Sequence, residues 1–111
     1  MAYNEPLASR VRHVLARRKG LTEKQMFGGL AFLLHGKMCC GVLQDKLVVR
    51  VGPAHYEEAL KEPHTRPMDF TGRPLRGFVY VLPRGVQSPA ALKGWVDLTL
   101  RHAASLPTKR R

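Results

Sequence analysis

The stretch Met26–Cys40, MFGGLAFLLHGKMCC, decides how the rest of the chain is read. It combines paired glycines, an apolar run, a His-Gly-Lys step and two adjacent cysteines. One reading is an active site, with Cys39 or Cys40 as nucleophile and His35 as its base. That chemistry needs a thiol of lowered pKa within hydrogen-bond reach of the base. The other reading is architectural. Leu30, Phe32 and Leu34 alternate with Ala31, Leu33 and His35, the period of a strand, and both sets are fairly apolar. His35, Gly36 and Lys37 suit a tight turn, and Met38–Leu43 returns as a second strand. The glycines of FGGLAF then permit a bulge or close approach where the first strand begins. Adjacent residues of a strand point to opposite faces. One cysteine is therefore expected in the core and the other as a thiol on the strand surface. Bridging them would close a strained ring, so free thiols and a reducing compartment are expected. The architectural reading is preferred, with redox sensing through Cys39 or Cys40 as a weaker variant.

Working outward, Gln44, Asp45 and Lys46 form the next turn, and LVVRV (Leu47–Val51) alternates as a third strand. The three strands read as an antiparallel meander. Upstream, Asn4 can cap a helix, Glu5 complements its N-terminal dipole and Pro6 suits its first turn. Leu7, Val11, Val14 and Leu15 make its apolar face, and Gly20 follows its basic end. Downstream, a second helix starts at Gly52-Pro53, carries Tyr56, Ala59 and Leu60, and stops at Pro63. Met68–Phe70 is a short strand candidate, Thr71–Gly77 a loop, and FVYVLP (Phe78–Pro83) the fifth strand. Ser88 caps and Pro89 opens a final helix that buries Leu92, Trp95, Val96, Thr99, Ala103 and Leu106. The expected fold is α+β, in the order α-β(3)-α-β(2)-α, a mainly antiparallel sheet packed with helices. The 111 residues suit a single domain, 1–111, ending in a basic tail at 107–111.

Surface scaling for a chain of this mass gives roughly 6,200 Å² exposed when folded against about 18,000 Å² unfolded, enough burial for an independent core. A hydrophobic content of 44% also argues against disorder. The start MAYNEPLASR is polar and does not read as a signal peptide. No run reaches the ~18 apolar residues of a membrane span. The expected location is the cytoplasm, with no membrane partner.

The charge balance is the main functional signal. Nineteen Lys and Arg face eight Asp and Glu, a net charge of +11. Such a field favours polyanions and acidic surfaces. Guanidinium groups suit bidentate phosphate contacts. The candidate phosphate contacts are Arg66, Arg73 and Arg76, around the glycine-bearing loop, with Lys37 and Arg50 on the meander. Lys46, the cluster Arg17, Arg18 and Lys19, and the tail Lys109, Arg110 and Arg111 add to the field. The aromatic residues read mostly as core, so no base-stacking platform is expected. Other chemistry finds little support. The five histidines are scattered, without Cys-x-x-Cys or His-x-x-x-His spacing, and no metal site or cofactor is expected. FGGLAF lacks the spacing of a phosphate loop. Glu57 and Glu58 are adjacent on a helix and diverge.

Four segments in order resemble the TfoX N-terminal domain family: Met26–Gly29, Gly36–Met38, Leu47–Val51 and Met68–Pro83. The resemblance covers roughly Arg10 to Leu106. It implies a secretion-chaperone-like arrangement of the same α-β(3)-α-β(2)-α order. It also implies a relation to a bacterial regulator of competence genes, and it carries over no catalytic residues. Two functions remain open. The first is a small non-enzymatic regulatory or binding domain that associates with nucleic acid through its basic surface. The second is a protein-interaction module, acting as a homodimer or chaperone-like partner binder through its strand edges and the apolar faces of Leu30–Leu34.

Overall fold

Local signals set the first helix. In the computed structural model, which describes residues 3–16, 19–26, 28–69 and 77–105, α1 spans Glu5–Val14. The Asn4 Oδ1 accepts a hydrogen bond from the Leu7 backbone N–H at 2.9 Å, satisfying one of the donors a helix start leaves free. Leu7, Ala8, Val11 and Leu15 are buried. The Arg10 guanidinium donates to the Val86 carbonyl at 2.6 Å, tying this helix to a distant turn.

The strands are β1 (Leu21–Met26), β2 (Gly29–Leu34), β3 (Lys37–Leu43), β4 (Lys46–Arg50), β5 (Thr65–Pro67) and β6 (Phe78–Val81). They form one sheet in the order β1-β2-β3-β4-β6-β5, and neighbours pair antiparallel throughout. A 3-10 turn at Pro53–His55 leads into α2, Tyr56–Leu60. The closing helix α3 runs Pro89–Ser105, with the Ser88 Oγ accepting from the Ala91 N–H at 3.1 Å. The α+β class and the broad element order agree with the sequence reading.

The sheet differs from that reading in two places. The meander has four strands, because LTEKQM forms β1 as an edge. Thr22, Glu23, Lys24 and Gln25 are exposed, so this strand has no apolar alternation to reveal it. Met26 pairs with Gly29, so β1 and β2 form a hairpin, and Gly28 stands at φ 76° beside the pair. The second difference is β5, which lies at Thr65–Pro67 rather than Met68–Phe70; Phe70 falls outside the described residues. Pro67 is tolerated because β5 is an edge strand. The β2–β3 turn is His35 and Gly36, both at positive φ (51° and 82°), as a tight twisted hairpin requires.

One core lies between the helices and one face of the sheet. It joins Leu7, Val11 and Leu15 of α1 to Leu92, Val96 and Leu100 of α3 over Phe32, Val42, Leu47, Val49, Val79 and Val81.

Candidate functional site

Pairing register divides the sheet residues between two faces, since directly opposed residues project to the same side. Leu30, Phe32, Cys40, Val42, Leu47, Val49, Val79 and Val81 share the helix-covered face. The intervening positions form the other face. There one cross-strand row reads Lys24, Ala31, Gly41, Val48, Tyr80, Arg66, one residue from each strand. At the usual strand spacing the row is about 24 Å long. A cationic residue stands at each end, on β1 and β5. Its middle is made of small residues covered by their neighbours: Ala31, Gly41 and Val48 are buried. Leu33, Met38, Leu43, Phe78 and Tyr80 are half-buried, yet none belongs to the core or packs against it.

Two rings on this face each carry a cation. The Lys46 Nζ stands 5.4 Å from the Tyr80 ring centroid, and the Arg50 Cζ 5.7 Å from that of Phe78. Both separations fall within cation–π range. Lys46 also donates to the Gln44 Oε1 at 2.8 Å and lies 3.9 Å from an Asp45 oxygen. Arg66 is exposed and pairs in register with Tyr80 from the opposite side. A recess of about 650 Å³ opens beside Tyr80, lined by Lys46, Arg66, Pro67, Leu82 and the carboxylates Asp45 and Asp69. Partial burial, helped by Asp69, raises the Tyr80 phenol above its ordinary pKa, so the ring is neutral at pH 7.

The sequence-predicted phosphate contacts are therefore partly gathered. Arg66 and Arg50 share this face, with Lys46. Lys37 does not: it pairs with Leu34, at the hairpin end and on the helix side. Arg73 and Arg76 lie outside the described residues, as do Arg17, Arg18, Lys109, Arg110 and Arg111. The sequence reading missed Lys24, because β1 itself was missed. It also read the aromatic residues mostly as core, without separating Phe78 and Tyr80 from the rest. The strand buries Val79 and Val81 instead and turns both rings away. The strict alternation of FVYV, with small β-branched residues at every second position, was the available signal.

The thiols fit packing rather than nucleophilic attack. Phe32 pairs with Cys40 but Leu33 with Met38, so Cys39 is an extra residue bulged into β3. The bulge breaks the alternation expected for adjacent residues. Both cysteines consequently join the core, and neither is a surface thiol. Burial raises both thiol pKa values, and the hydrogen bond between Cys40 and Thr99 only partly offsets this. The His35 imidazole lies instead against Gly20, where an added Cβ would collide with it. Among the described residues no group of three or more His, Cys, Asp or Glu side chains could hold a metal ion. A second recess of about 840 Å³, between α2 and α3, is lined by His55, Glu58, His64, Arg84, Trp95 and Leu98. Among the described residues no helix is long and apolar enough to cross a membrane.

Comparison with curated proteins and with solved structures finds no match. The profile of the TfoX N-terminal domain matches residues 13–103, a span that includes the whole sheet and nearly all of α3, and the chain therefore belongs to the TfoX N-terminal domain family.

Proposed function

We propose that this chain is a non-enzymatic regulatory or binding domain that associates with nucleic acid through the sheet face turned away from its helices. The observation carrying this reading is the convergence of Lys46, Arg50 and Arg66 around Tyr80 and Phe78. A net charge of +11 supplies the long-range attraction. Phosphates would be held by the lysine and arginine heads. The domain acts as a single unit, and its free cysteines suit a reducing cytoplasm.

Fluorescence anisotropy with labelled DNA and RNA at about 50 and 200 mM salt tests this. If six phosphates are neutralised, affinity should fall roughly 10³-fold across that range. A triple variant, Lys46→Glu/Arg50→Glu/Arg66→Glu, should flatten the slope. Absence of binding at the lower salt overturns the proposal.

A second reading, a homodimer or partner-binding module, draws on Leu33, Met38 and Leu43, half-buried and outside the core. The edges favour it less. β1 presents Glu23 and Lys24, and β5 carries Pro67, features that discourage edge pairing. Sedimentation at high protein concentration distinguishes the two: a strict monomer removes the homodimer.

A further inference from the structure

We infer that the nucleic acid taken by this face is single-stranded, held by unpaired bases stacking on Tyr80 and Phe78. The inference rests on the proposed function above and specifies its ligand. Phe78 and Tyr80 stand two residues apart on β6 and project to the same side, outside the core. Their attachment points are about 6.8 Å apart along the strand. That separation offers one base per ring to an extended strand whose own bases have come apart. A duplex cannot use it, because its bases are already stacked on each other and expose only their edges.

Lys46 and Arg50 lie over the two rings, so a stacking base takes the place of these cations on the ring faces and leaves them free to meet its phosphates. Tyr80 has Lys46 on the β4 side and Arg66 directly opposite on β5. Phe78 has Arg50 directly opposite on β4. Each ring therefore has a positive head within reach of a phosphate once a base has displaced it from the ring face. The centre of the row, Ala31, Gly41 and Val48, is small and buried beneath its neighbours, so a strand meets the half-buried rings and the cations rather than the middle of the sheet. Asp45 and Asp69 border the same recess. They disfavour phosphate immediately below Tyr80, so the backbone is directed along the Lys46–Arg50 and Arg66 sides. Stacking uses the face that every base has, so it is open to both DNA and RNA.

The test measures binding of the full chain at about 50 mM salt. The probes are labelled 12-nucleotide DNA and RNA single strands, the matching DNA duplex, and a DNA single strand with abasic sites at alternate positions. Single strands should bind at least tenfold more tightly than the duplex. The variants Tyr80→Leu and Phe78→Leu keep apolar volume on the sheet, and circular dichroism and thermal melting verify their fold. Each should weaken single-strand binding by roughly 5- to 150-fold, the range expected for one lost stacking contact. Duplex binding should stay within about twofold. Tyr80→Phe should retain wild-type affinity. The abasic strand tests stacking without altering the protein, and its affinity should drop towards that of the duplex. Duplex binding as tight as single-strand binding overturns the inference. So does an abasic strand that binds like the intact one, or Tyr80→Leu and Phe78→Leu variants that leave single-strand affinity unchanged. If those results accompany a loss of all binding in the Lys46→Glu/Arg50→Glu/Arg66→Glu variant, the nucleic-acid reading stands and only the single-strand inference falls. If no probe binds, both fall.

Discussion

The two faces of this sheet are built from the same strands, residue by residue in alternation, and they differ in what alternation delivers. The face towards α1 and α3 is continuous hydrocarbon: Phe32, Val42, Leu47, Val49, Val79 and Val81 are all fully buried. The opposite face sets small buried residues, Ala31, Gly41 and Val48, among half-buried Leu33, Leu43, Phe78 and Tyr80, with Lys24, Lys46, Arg50 and Arg66 beside them. The first face stabilises the fold by removing apolar area from water. The second contributes less to folding and keeps charge and ring surface available. A sheet can thus carry its stability on one side and its binding chemistry on the other, provided its register is held.

The largest effect expected from this contrast is on the covered face. Phe32→Ala should destabilise the protein by about 3–5 kcal/mol in denaturant titrations, through lost burial and a residual cavity. A cost below about 1 kcal/mol would mean that Phe32 is not the core anchor its burial indicates.

The thiols give the next effect, with a defined sign. Burial raises both cysteine pKa values above the unfolded value near 9.0. Above that pH the unfolded chain loses thiol protons that the folded chain keeps. Stability from this source is thus complete below about pH 9 and declines as pH rises through and beyond it. The decline is up to about 1.4 kcal/mol per pH unit for each thiol. Urea titrations from pH 8 to 10.5 on the wild type and on Cys39→Ala/Cys40→Ala should show a steeper fall in the wild type. Equal slopes would break the link between the bulge and the buried pair. Iodoacetamide at pH 7.5 should label both thiols slowly, and rapidly only in denaturant.

On the other face, Arg66→Glu should leave stability within about 0.5 kcal/mol, and Lys46→Glu, which loses its contact with Tyr80 and faces Asp45, should cost about 1 kcal/mol. Each should weaken nucleic-acid binding, and each lost phosphate contact should reduce the salt slope by about one. An unchanged slope would move the binding surface elsewhere. The smallest effect is expected at the edge. Arg12 and Glu23 join α1 to β1 through two hydrogen bonds of 2.6 and 3.1 Å, but both side chains are well exposed. Arg12→Ala should cost less than about 1 kcal/mol in thermal melts.

Much of the framework was legible from residues alone because its signals are local. Asn4 and Ser88 announce helix starts, His35-Gly36 a twisted turn, and LVVRV and FVYV strand alternation, each within a few residues of sequence. Four ordered segments were enough to suggest the family. What escaped was set by contacts distant in sequence. β1 is polar and becomes a strand only by pairing along β2. Cys39 and Cys40 should have pointed apart, and a bulge that depends on the β2 register brought both into the core. The basic residues were visible as a count of charges, but Arg50 and Arg66 share a face only because β6 lies between β4 and β5. Composition and short-range periodicity specify how each segment buries its apolar side. Which charged and aromatic residues then meet on the remaining side is decided by strand order and register, which only the folded chain holds.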